Sequence, residues 1–249
     1  MSLLVAPVPT GKREPRVLVT FTAIALPVGW VLLSVPLVTD LPLGPFVLGT
    51  QYLGMVLPAV LMTGRPFKRL LVDTVRLPRP LWLLLPAVLL IPAAVLAGGA
   101  LTGGAIPPTL SIVTNVVSSV LIVNLWEEMI WAGFVQRRAM SRWGYVRGSA
   151  LTALLFIGIH LPLSLYGARS AADVVRNIAF MIVSGLGLRL LIGAFDAWSH
   201  GSILALAFLH ATFNASSGLV VQDLVRYAVT LALGIAAAAV VVRRIRSER

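Results

Sequence analysis

Eight long apolar stretches constrain this chain more than any other feature. Most of them reach the length of about 20 residues that an α-helix needs to cross a bilayer. They fall at residues 17–39, 46–63, 81–104, 109–135, 149–166, 177–195, 201–219 and 224–242. Backbone groups in lipid must be hydrogen-bonded within the protein, which favours helices over open sheets. The sequence therefore predicts an all-α fold, a polytopic membrane bundle of about eight transmembrane helices.

Composition supports this class of protein. Apolar residues make up 58% of the chain and charged residues 12%, against about 45–50% and about 25% in soluble domains. A soluble domain of 249 residues could not bury that much apolar surface, so soluble enzymes and disordered chains are excluded. The chain contains no cysteine, which excludes disulfides, thiolate metal sites and cysteine nucleophiles.

The basic residues predict how the bundle is oriented. The net charge is +11, and the basic residues fall between apolar runs, which favours contact with the lipid bilayer and no contact with nucleic acid. One side collects Lys12, Arg13, Arg16, Arg65, Lys68, Arg69, Arg76, Arg79, Arg137, Arg138, Arg142, Arg147, Arg243, Arg244, Arg246 and Arg249. The other side holds Arg169, Arg176 and Arg226. The positive-inside rule then predicts two cytoplasmic termini. With no organelle signal, we expect the plasma membrane of a prokaryote.

Polar residues inside the spans point to function, because a charge near the bilayer centre costs at least about 2.5–3.5 kcal/mol. Within the predicted spans, the acidic residues are Glu127 and Glu128, and the imidazoles are His160 and His210. Counting along the helices places them roughly 13–20 Å from the cytoplasmic edge. Asn214 shares a helix face with His210. We therefore expect Glu127, His160, His210 and Asn214 to meet in one polar cavity that opens toward the cytoplasmic half.

Three short motifs carry a family resemblance. Residues 126–134, with the sequence WEEMIWAGF, resemble the first motif of the CPBP family of intramembrane proteases, the CAAX-protease and bacteriocin-processing group. That motif has two glutamates, three other residues and an arginine. Phe156 to His160 matches the second motif, Phe-x-x-x-His, and His210 to Asn214 matches the third, His-x-x-x-Asn. The resemblance covers roughly residues 110–220.

The resemblance implies an intramembrane endopeptidase that acts on a peptide or membrane-protein substrate. It makes Glu127 the general base, gives His160 the task of holding the water, and makes His210 and Asn214 oxyanion donors, with Glu128 as electrostatic support. A zinc mechanism stays open as well, because Glu127, His160 and His210 could bind Zn²⁺ with an open fourth position. The alternative is a mechanism without a cofactor, which we favour because the His-Glu-x-x-His zinc motif is absent.

The chain is expected to form a single membrane domain, residues 1–249, of which the resemblance covers the central part. Residues 1–107 would hold the N-terminal helices and a basic amphipathic connector at 64–80, which we expect in the headgroup layer. Residues 108–220 would form the catalytic core of four helices. Residues 221–249 would form the last helix and a basic tail.

One departure from the first motif favours other functions. Ala132 stands where the family has arginine, one helical turn from Glu128, so Glu128 lacks its local counter-charge. Arg189 could supply that charge from the sixth span, but snorkelling of Arg189 to the cytoplasmic surface is the favoured interpretation. A catalytically silent binding or immunity protein on the same scaffold is therefore one alternative. A proton-coupled transporter is a second, weakened by the absence of repeated halves.

Overall fold

The computed structural model describes residues 14–63, 67–106 and 109–248, and in this part of the chain every regular element is a helix. The helices are α1 (Glu14–Val38), α2 (Leu43–Met62), α3 (Phe67–Val75), α4 (Leu81–Leu101), α5 (Leu110–Trp143), α6 (Tyr145–Leu165), α7 (Ala171–Trp198), α8 (Ile203–Leu219) and α9 (Asp223–Ser247). The all-α prediction is confirmed.

Each of the eight predicted spans corresponds to one helix, and the remaining helix, α3, lies in the predicted connector. In the described part of the chain, seven helices are long and apolar enough to cross a membrane, namely all except α3 and α8. The chain is therefore a multi-pass membrane protein. The remaining predicted span, α8, is shorter, and nearly all residues of its first three turns are buried. It forms the interior of the bundle, where α4, α5 and α7 pack against it.

The amphipathic connector contains the short helix α3, which turns one face to the bundle. Leu70 and Asp73 are buried against the bundle, whereas Val72 and Val75 are exposed. Residues 64–66, at the start of the predicted connector, lie outside the described residues.

A buried charge cluster ties α3 to the bundle. Arg137 of α5 reaches Asp73 at 2.9 Å and Asp196 of α7 at 2.7 Å, and it also donates to the Gly201 carbonyl at 2.9 Å. Because an unpaired buried charge is strongly unfavourable, these contacts fix the connector and the α7–α8 turn against α5. Asp73 and Asp196 both lie outside the predicted spans, and this cluster was not predicted from the sequence.

Helix α5 departs from regular α-helix around the glutamate pair. Two π-helical stretches, Val120–Asn124 and Met129–Gln136, enclose the α-helical segment Leu125–Glu128. Each π-turn adds a residue to the helical repeat and so changes which side chains face inward, and such turns are frequent at functional sites. Here Asn124, Glu127 and Glu128 are all buried in the bundle.

Candidate active site

Three helices bring the predicted carboxylates and imidazoles together. Glu127 and Glu128 of α5 are 6% and 0% exposed, and His210 of α8 is 3% exposed. His160 stands where the α-helical part of α6 gives way to a 3₁₀ turn. Its side chain is 23% exposed, which makes it the most accessible of the four.

Glu128 is held by Arg189 and His210 rather than by a neighbour on its own helix. The Arg189 guanidinium donates to both carboxylate oxygens, at 2.9 Å to Oε2 and 2.5 Å to Oε1. His210 Nδ1 lies 2.7 Å from Oε1. Arg189 is fully buried, so the snorkelling interpretation is wrong. The reason is energetic, because a buried carboxylate and a buried guanidinium are each tolerated only when they are paired.

The position of the missing motif arginine is filled by apolar packing. Ala132 is 1% exposed and belongs to a core cluster with Leu188, Leu191 and Leu206. The counter-charge for Glu128 therefore comes from α7, and α5 keeps a small residue at the point where α7 and α8 approach it.

The contact with Glu128 determines which ring nitrogen of His210 carries a hydrogen. An ionised carboxylate only accepts hydrogen bonds, so the Nδ1 of His210 carries a hydrogen. Its Nε2 is then an acceptor in the neutral ring and a donor in the imidazolium. Glu128 orients the His210 ring through Nδ1, as a buried carboxylate does for the histidine of a catalytic triad.

Glu127 and His160 present two acceptors to one small space. The Phe156 carbonyl lies 2.6 Å from His160 Nδ1, and because a carbonyl only accepts, Nδ1 carries the hydrogen. The lone pair of Nε2 in the neutral ring then faces Glu127 Oε1, 3.7 Å away. One water molecule can lie about 2.8 Å from both atoms and donate a hydrogen to each.

Two further residues belong to this site. Asn124 is fully buried, and its Nδ2 lies 3.4 Å from Glu127 Oε2, one helical turn away. The sequence analysis missed it, although its i, i+3 spacing from Glu127 was visible. The Phe156 ring lies 4.5 Å from the His160 ring and 4.5 Å beneath the Arg189 guanidinium. This gives a physical reason for the phenylalanine of the second motif, because the ring shields both groups and attracts the cation.

Asn214 is the predicted site residue that the structure does not bring to the carboxylates. Its side chain is exposed, and it lines a cavity of about 350 Å³ between the first turns of α5 and the end of α8. This cavity adjoins the site in the half of the bundle away from the basic residues of the α5–α6 connection. The sequence analysis expected the cavity to open toward those residues.

The predicted zinc ligands do not form a ready metal cage. Among the described residues, no group of three or more histidine, aspartate or glutamate side chains is arranged to share an ion. The Nδ1 of His210 is engaged by Glu128. The choice between zinc and a mechanism without a cofactor stays a prediction.

With this geometry established, one comparison with known proteins is informative. Residues 109–216 match the family described as type II CAAX prenyl endopeptidase Rce1-like. Over this segment the chain is similar to that family. The match contains all three motifs and confirms the resemblance stated from them. Among curated proteins, none matches the chain significantly. The boundaries of the Rce1-like core at 108–220 stay a prediction.

Proposed function

We propose that the chain is an intramembrane endopeptidase in which Glu127 activates the attacking water. The observation that carries this proposal is the pair of acceptors, Glu127 Oε1 and His160 Nε2, 3.7 Å apart in a largely buried site. A water that donates one hydrogen to each of these acceptors points a lone pair away from them. That lone pair can face the carbon of a bound carbonyl group. The Rce1-like match supports the same class of reaction.

The proposed reaction needs only water and the peptide. As the water oxygen attacks the scissile carbonyl, its proton moves to Glu127 and the carbonyl oxygen becomes an oxyanion. The imidazolium of His210, stabilised by Glu128, donates through Nε2 to that oxyanion, with Asn214 as the second proposed donor on the cavity side. Glu127 then gives its proton to the leaving nitrogen, the C–N bond breaks, and a carboxylic acid and an amine leave.

The silent-binder alternative rested on Ala132, and the Arg189–Glu128 pair weakens it. The charge that Ala132 cannot provide is present from α7. The carboxylates therefore have the electrostatic environment that hydrolysis requires.

The proposal is tested by peptide cleavage. The purified chain in lipid nanodiscs is incubated with a farnesylated peptide that ends in Cys-aliphatic-aliphatic-X, and in parallel with the same peptide without the farnesyl group. Mass spectrometry follows release of the C-terminal tripeptide, and Glu127→Ala controls for contaminating peptidases. Cleavage of the farnesylated peptide supports a prenyl endopeptidase, and equal cleavage of both supports a peptidase without prenyl specificity. Binding without cleavage would overturn the proposal in favour of the silent binder.

We also propose that both termini lie in the cytoplasm of a prokaryotic cell. The asymmetry of basic residues supports this orientation, although Lys12, Arg13, Arg65 and Arg249 lie outside the described residues. Because the chain has no cysteine, Thr10→Cys and Ser247→Cys each introduce a unique thiol. In intact cells, we expect an impermeant maleimide to label neither thiol until the membrane is opened. Labelling of either thiol from outside would reject the orientation.

A further inference from the structure

The cavity beside the site has a polar, uncharged lining. Ser111, Asn115 and Ser119 project from one face of α5 at intervals of four residues, and Ala211, Asn214 and Gly218 face them from α8. No aspartate, glutamate, lysine or arginine lines it. A lining of this kind suits a neutral ligand rich in hydrogen-bond donors and acceptors, and it does not suit a phosphate, a carboxylate or a cation.

The cavity is connected to both halves of the proposed machinery. Ser119, at its inner end, donates to Asn124 at 2.5 Å, and Asn124 contacts Glu127. On the opposite wall, Ala211 directly follows His210 along α8. A ligand in the cavity is therefore linked to Glu127 through Ser119 and Asn124, and it lies against the residue of α8 that follows His210.

Two side-chain amides in the cavity are available to a ligand. Asn115 and Asn214 are both exposed, and neither amide group makes a hydrogen bond with another described residue. Each amide offers donors and an acceptor. An extended peptide presents N–H and C=O groups in alternation, so these amides match a peptide backbone in a way that single hydroxyls do not.

A substrate in a membrane needs such a surface. To be cut, a peptide must unwind from any helix and expose its backbone groups, and an unsatisfied backbone group in lipid costs several kcal/mol. We infer that this cavity is a substrate groove, in which Asn115 hydrogen-bonds the extended backbone of the peptide next to the scissile bond, while Asn214 faces the scissile carbonyl from α8. The inference rests on the proposed peptidase function.

Kinetics give the first test. Asn115→Leu removes the amide, and we expect KM for the farnesylated peptide to rise about 2- to 10-fold, the loss of roughly one hydrogen bond, with kcat unchanged. Thr114→Val is the matched control, because Thr114 lies on the same helix outside the cavity and its hydroxyl bonds the Ser111 carbonyl. Its KM should stay at the wild-type value. A fall in kcat at constant KM in Asn115→Leu would overturn the inference and indicate a route for water.

Thiol protection tests the groove without relying on turnover. Two variants are made in a Glu127→Gln background, and each carries one thiol on α5. Asn115→Cys places the thiol inside the cavity, and Val117→Cys places it outside. We expect the farnesylated peptide to slow maleimide labelling at position 115 and to leave position 117 unchanged. Equal labelling with and without peptide at position 115 would overturn the groove. If the wild type cleaves no peptide but the peptide still protects position 115, the proposed function is refuted and the groove is supported.

Discussion

Replacing Glu127 with glutamine is expected to lower kcat by about 10²- to 10⁴-fold, the usual contribution of a general base. Glutamine keeps the size of the side chain, and its carbonyl oxygen can still accept a hydrogen bond from Asn124. It cannot take a proton from water, so the chemical step fails while substrate binding survives. Steady-state cleavage of the farnesylated peptide measures kcat and KM for both proteins, and the thermal unfolding midpoint in detergent shows whether the bundle is intact.

The matched control is Glu248→Gln, which makes the same change at an exposed residue near the end of α9, where Glu248 pairs with Arg244. Its kcat should equal that of the wild type. Unchanged kcat in Glu127→Gln would remove Glu127 from the mechanism and leave His160 as the remaining group able to accept the water proton.

Replacing Arg189 with methionine is expected to have the second large effect, and this one falls on folding as well as on rate. The change leaves Glu128 buried without its cation, and breaking a buried ion pair in this way costs about 3–5 kcal/mol. Glu128 then responds by taking a proton, and its bond to His210 no longer stabilises the imidazolium. Arg176→Met is the control on the same helix, since Arg176 is exposed and pairs only with its neighbour Asp173.

A charge-relocation experiment separates the electrostatic role of Arg189 from its packing. Ala132→Arg alone should destabilise the bundle by about 1–3 kcal/mol, because the new side chain must enter a filled core. Combined with Arg189→Met, it places a guanidinium one turn from Glu128, so the two changes should be clearly non-additive and turnover should partly return. Strict additivity of the two changes, in both unfolding and turnover, would show that Glu128 does not need a cation.

The helices and the four central site residues were predictable because the relevant signals are local. Each span is a long apolar run, and Glu127, Glu128, His160 and His210 are costly residues in lipid, so their presence alone indicates a shared role. The fold and the pairing of α5, α6 and α8 around them agree with that expectation.

The partner of Glu128 was not predictable because it depends on how two helices rotate against each other. Arg189 lies 61 residues away along the chain, and an arginine within a span can either snorkel or turn inward. The two π-helical stretches of α5 also change which residues face the interior, so the burial of Asn124 beside Glu127 does not follow from its i, i+3 spacing alone. Asn214 lies on the predicted face of α8, but its side chain turns to the cavity, a choice that sequence spacing does not determine.

The central claim is that Glu127, with His160, activates water directly. The most direct test is the single-turnover rate of the wild type on the farnesylated peptide before and after exhaustive treatment with 1,10-phenanthroline, with bound zinc measured on the same samples. If Glu127 activates water directly, the rate stays unchanged after chelation and is independent of the zinc content. A rate that is lost with the chelator and recovers in proportion to added zinc would contradict it.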